Sequence, residues 1–164
     1  MTIDCPVREV SQTILRSPEL EAREIFGNCL QAAMASALGL DLEAAPHFGA
    51  FVWWDAAARL WLRGRSLDWH WVPASAGLPD GRCVVIGTSP RHAGDRHAVV
   101  GEGGAVIFDP HPSRGGLVQV QGAYAFRRWP DGAGDNEGCV CCGDQLSRLE
   151  EIAVAGEAWV KSCP

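Results

Sequence analysis

Cys29 lies in GNCLQAAMASALGL (27–40), and His97 and Asp109 lie in RHAVVGEGGAVIFDPHP (96–112). These three residue types can together carry out acyl transfer. A thiol attacks as its thiolate, an imidazole takes and returns the proton, and a carboxylate fixes the imidazole tautomer and stabilises its charged form. A helix N-terminus and an imidazolium partner both lower a thiol pKa. Taken singly, each residue has an ordinary structural reading. A Cys on an Ala-rich helix packs in a core, a His at a strand start is satisfied locally, and an Asp before Pro ends a strand. The catalytic reading rests on their order and on the elements that carry them.

Those elements are legible. After Gly27-Asn28, residues Leu30, Ala33, Met34, Ala37 and Leu38 fall on one helical face. Gly39 ends that helix, and Pro46 opposes any continuation. Cys29 therefore opens a helix, with Asn28 at its cap or turned toward the site. HAVVG (97–101), EGG and AVIFD (105–109) predict a β-hairpin that brings His97 and Asp109 together. A second helix is expected over 52–63, with Trp53, Ala57, Leu60 and Trp61 on one face and Gly64 at its end. Trp53 and Trp54 are candidates for a cleft wall, with core packing favoured for Trp53. LDWHWV (67–72) alternates Leu67, Trp69 and Trp71 against Asp68 and His70, as a half-buried strand does. RCVVIGTS (82–89) and YAFRRW (124–129) predict two more strands, and Val10 to Leu15 a short one. PDGAGDNEG (130–138) is a loop; the last 20 residues read equally as helix or strand. Helices precede strands, so the expected class is α+β with an antiparallel sheet, as one domain over residues 1–164.

The totals narrow the function. At 164 residues and 47% hydrophobic, the chain can bury a core without staples. A net charge of −6, with no basic run, argues against nucleic acid as a partner; Arg127 and Arg128 read as a solvated strand face. No 18-residue apolar run exists, so no membrane span is expected, and the N-terminus lacks the features of a signal peptide. Seven cysteines is an odd count, read as reduced thiols in a cytoplasmic protein.

The Cys–His–Asp order on these elements resembles the papain-like cysteine peptidase superfamily in its compact bacterial and phage forms. The GNC helix start and the HAVV…DPHPS hairpin also resemble small phage and prophage proteins, a similarity covering about residues 12–117. The resemblance implies a helix bearing Cys29 packed on an antiparallel sheet, with Cys29 as nucleophile, His97 as base and Asp109 as orienter. Papain-like enzymes also use a Gln five or six residues before the Cys as an oxyanion donor. Here Glu24 and Arg23 hold those positions. Gln12, seventeen residues upstream, is the candidate if 16–26 form an inserted loop, beside the backbone N–H of Cys29. His111 either lines the cleft or replaces Asp109. His92 lies in a loop, and His47 reads as structural.

Cys139, Cys141 and Cys142 cluster in GCVCCGD, within a loop over 129–145. Thiolates suggest zinc, with Cys5 or Cys163 completing the set, but the usual CxxC spacing is absent; a reduced loop is favoured and no cofactor is expected. The leading function is a cysteine hydrolase, peptidase- or amidase-like, acting on a protein or peptide-like substrate through an acyl-enzyme. The alternatives are an acyltransferase or deamidase with the same triad, a phage-encoded binding or inhibitor protein on an inactive papain-like fold, and a metal-binding protein. Substrate identity and oligomeric state stay open.

Overall fold

Ala, Leu and Met are strong helix formers, and the computed structural model has the helix they predict. It describes residues 3, 5–15, 17–21, 27–92 and 94–129. The elements are a single-turn helix α1 (Pro18–Glu21), α2 (Cys29–Ala37), α3 (Trp54–Arg63), and strands β1 (Leu67–Pro73), β2 (Cys83–Thr88), β3 (Arg96–Glu102), β4 (Ala105–Phe108) and β5 (Gln119–Arg128). The fold is α+β: an N-terminal helix packs on one five-stranded sheet of order β1-β5-β2-β3-β4, with every pairing antiparallel. The unit described is bounded by Met1 and Trp129. Residues 130–164 lie outside the described residues, and with them the 130–138 loop, the Cys139–Cys142 cluster, Cys163 and the C-terminal segment.

Helix α2 is the buried element. Ala32 through Ala37 have no solvent exposure, and small side chains let a helix backbone come close to a sheet. Its face packs on Val84, Ala98 and Val100 of β2 and β3 and on Phe48. It closes with a Schellman motif: Leu40 N–H bonds the Ala35 carbonyl (2.9 Å), Gly39 N–H bonds that of Ser36 (3.2 Å), and Gly39 has φ +68°. The buried Arg82 guanidinium donates to the Ala37 carbonyl at 3.0 Å, a cation at the negative end of the helix.

The hairpin forms as expected. Gly103 and Gly104 both have positive φ, as a two-residue turn of this hand requires. Val100 pairs with Phe108, and the register shifts between Val100 and Gly101.

Several expectations need correction. Val10–Leu15 is no strand; it runs as an irregular segment, held by bonds such as Gln12 N–H to the Pro110 carbonyl (3.0 Å). Helix α3 starts at Trp54, buries Ala58 and Leu62, and leaves Trp53 66% exposed. In β1, Trp69 is buried and His70 exposed as the alternation predicts, and Trp69 and Trp71 share the face that packs on Tyr124, but Asp68 is fully buried as well. The reason is electrostatic: Asp68 accepts from Arg59 at 3.1 Å and from Arg127, so its charge is paired inside. Burial alone would raise its pKa, but the Arg127 hydrogen bond, with the Trp69 backbone and Arg59, holds it below the usual carboxylate value.

Candidate active site

Three elements deliver three groups. Cys29 is the first residue of α2, His97 the second of β3, and Asp109 the first residue beyond β4. His97 and Asp109 are both buried. His97 Nε2 lies 2.7 Å from Asp109 Oδ1. Burial alone would raise the Asp109 pKa. The His97 hydrogen bond and the backbone amides of His111 and Gly116 outweigh it and hold the group below its ordinary value. Asp109 is thus a carboxylate, which only accepts, so His97 Nε2 carries the hydrogen and Nδ1 is left with its lone pair.

The loop after β4 makes this aspartate the partner. Continuing the Val100–Phe108 register three residues each way would set His97 opposite His111, not Asp109. Asp109 instead turns back. Its Oδ1 also accepts from His111 N–H (2.8 Å), an Asx-turn, and its Oδ2 accepts from Gly116 N–H (2.8 Å). Arg114 donates to its backbone carbonyl at 2.6 Å, and Arg91 Nη1 lies 3.8 Å from Oδ2. His111 lines the cleft beside it, its ring 6.2 Å from that of His97. Its Nδ1 accepts from Ser113 N–H at 3.0 Å, so Nε2 bears its hydrogen.

Cys29 and His97 line one cleft, with Gly27 and Arg96 between its two arms. Burial pushes the Cys29 thiol pKa up, and hydrogen bonds from the backbone of Ala98, Leu30 and Cys29 itself pull the other way. Burial likewise pushes His97 down against the pull of Asp109. The backbone at the helix start thus favours the thiolate, yet desolvation outweighs it. Both shifts favour the neutral forms, a thiol and an imidazole.

Asn28 holds the N-cap position of α2, its carbonyl accepting from Ala32 N–H at 3.0 Å, but its side chain makes no cap bond and is not among the residues lining either arm. Its Oδ1 accepts from Thr13 N–H (3.1 Å) and Ile14 N–H (2.9 Å), and its Nδ2 donates to Thr13 Oγ1 and Gln31 Oε1 (both 3.1 Å). This buried amide docks segment 12–14 onto the helix start. Gln12 thereby reaches the cleft despite its distant spacing, lining the arm that holds Cys29, His97 and His111. Its Nε2 donates to the Ile14 carbonyl at 3.2 Å, and its Oε1 is buried with no hydrogen-bond partner.

The sequence reading missed part of the lining. Arg91, Arg96 and Ser89 join the polar arm, and Trp71, Ile86 and Tyr124 join Trp54 in the apolar one. Trp71 was readable as an aromatic on the inward face of the predicted strand 67–72, a face it shares with Trp69, but no local signal shows that this face opens into the cleft there; Arg91 carried no motif. His47 is structural, its Nε2 3.4 Å from the Gly27 carbonyl. Cys83 is buried with its thiol pushed up to about 11, chiefly by desolvation. Among the described residues no His, Cys, Asp and Glu group could hold a metal ion, and no helix is long and apolar enough to cross a membrane. Comparison with protein-family models, curated proteins and solved structures finds no match for this chain.

Proposed function

We propose that this protein is a papain-like, cysteine-dependent hydrolase of amide bonds, with Cys29 as nucleophile, His97 as general base and then acid, and Asp109 as the group that orients His97. The observation that carries this reading is the buried 2.7 Å His97–Asp109 hydrogen bond beside a cysteine at the start of a buried helix. Asp109 holds the imidazole in the tautomer whose Nδ1 accepts a proton. As the sulfur attacks a carbonyl carbon, Nδ1 takes the thiol proton and the carbonyl π pair moves to oxygen. The amides opening α2 stabilise that oxyanion, since the first helical N–H groups have no intrahelical partner. Collapse breaks the C–N bond, and the imidazolium gives its proton to the leaving amine. Water then attacks the acyl-enzyme with His97 again as base. Because both shifts favour the neutral forms, His97 acts in concert with attack rather than by storing a thiolate.

Alkylation by iodoacetamide between pH 5 and 9, mapped by mass spectrometry, tests the pair. Cys29 should react ahead of Cys5 and Cys83 at pH 7, and His97→Ala should slow it about 100-fold, the low end for loss of a positioned base. Equal Cys29 rates in the two proteins would remove the basis for the reading.

A further inference from the structure

The cleft changes character across Cys29. On one side lie Arg91, His111 and Gln12, in a cavity of about 250 Å³. On the other lie Leu30, Trp54, Trp71, Ile86 and Tyr124, in a cavity of about 510 Å³, a size that suits a substrate group. Cys29 and His97 line both arms, so whatever reacts at Cys29 presents one flank to each.

The aromatic wall is built, not incidental. Trp54 meets Tyr124 edge-on at 5.7 Å, and Trp71 meets it at 5.0 Å. The fully buried Trp69 stacks behind Tyr124 at 4.4 Å. Gly122 on β5 leaves room for the Trp71 ring; a Cβ there would stand 2.4 Å from Trp71 Cζ2. The rings are held by one another, yet Trp71 stays 42% exposed. A preordered apolar wall left open to water beside a nucleophile binds apolar surface at little ordering cost.

We infer that this arm is the specificity pocket: the substrate amide carries an aromatic or large aliphatic group that packs on Trp54, Trp71 and Tyr124, while its polar flank lies along the Arg91–His111 side. The inference rests on the reading of Cys29 as nucleophile, and two pairs of thiol-directed probes test it. N-Acetyl-phenylalanine chloromethyl ketone and its glycine analogue set the side group on the acyl side of the reacting carbon. N-Chloroacetyl-phenylalanine methylamide and its glycine analogue set it on the amine side. Methyl methanethiosulfonate, too small to fill either arm, reads the thiol alone.

In the wild type, kinact/KI at Cys29 should favour phenylalanine over glycine about 10-fold or more in at least one pair, the scale expected for burying an aromatic side chain. Trp71→Ala should bring that ratio near one, and because the ratio is taken between two probes on the same variant, any change in the thiol itself cancels. Trp71 is half in solvent, so the fold survives its loss; Trp54→Leu gives an independent check. Ratios near one for both wild-type pairs overturn the inference, as does a preference that survives both substitutions. If instead His97→Ala leaves the methyl methanethiosulfonate rate at Cys29 unchanged, the nucleophile reading fails by itself, whatever the ratios show.

Discussion

At the scale of single residues, Asp109 is the informative one. Its carboxylate accepts three hydrogen bonds, from His97, His111 and Gly116. It is also a cause that raises the His97 pKa against burial, which lowers it. Replacing it by Asn removes that charge, so His97 should lose its proton at still lower pH. The acid limb of Cys29 alkylation should therefore move to lower pH in Asp109→Asn, a direction that a pH–rate profile reads directly; an unmoved limb would mean that the carboxylate does not act on this imidazole. The pairing of residues 97 and 109 was legible from the hairpin spacing. That Asp109 rather than His111 takes the bond was not, because the ladder register alone points to His111. The choice depends on two loop amides that turn the carboxylate back.

At the scale of elements, the predicted helix and hairpin stand because their signals are local: apolar spacing, a C-terminal glycine, and a Gly-Gly turn. The segment before α2 has no such signal. Its conformation is set by long-range bonds, among them those of the buried Asn28 side chain, which satisfies the Thr13 and Ile14 amides. Asn28→Ala would leave those donors short of a partner and should cost about 2 kcal/mol of stability, seen as a lower urea midpoint. An unchanged midpoint would show that segment 12–14 is held by other contacts. Strand β1 departs from its pattern at Asp68 for a related reason. Its alternation of polar and apolar residues is regular, but Arg59 and Arg127 pair with Asp68 and make an inward carboxylate tolerable.

At the scale of the whole molecule, the buried ionisable groups set the response to acid. Burial lowers the pKa of His97, and burial with the Arg91 charge lowers that of His111. Both are favoured neutral in the folded state, so stability falls as pH drops below about 6.5, where the unfolded histidines bind protons first. Asp68 and Asp109 are held below their ordinary values despite burial, so their contribution is present above about 4 and is lost as pH falls further. Urea midpoints should therefore decline in two stages, between pH 7 and 5 and again below about 4; a flat midpoint through the first stage would contradict a histidine held neutral by burial at position 97.

The sequence by itself determined the α+β class, the helix that Cys29 opens, the strand that His97 begins and the hairpin that carries Asp109, because each depends on residues close in the chain. Only the tertiary structure decided the rest. Packing α2 against β3 set Cys29 and His97 on one cleft, with His97 buried and Cys29 partly so, and that desolvation shifts both toward their neutral forms. Pairing β1 with β5 set Trp71 beside Tyr124 and built the aromatic arm. These are consequences of long-range contact and desolvation, and no local spacing encodes either.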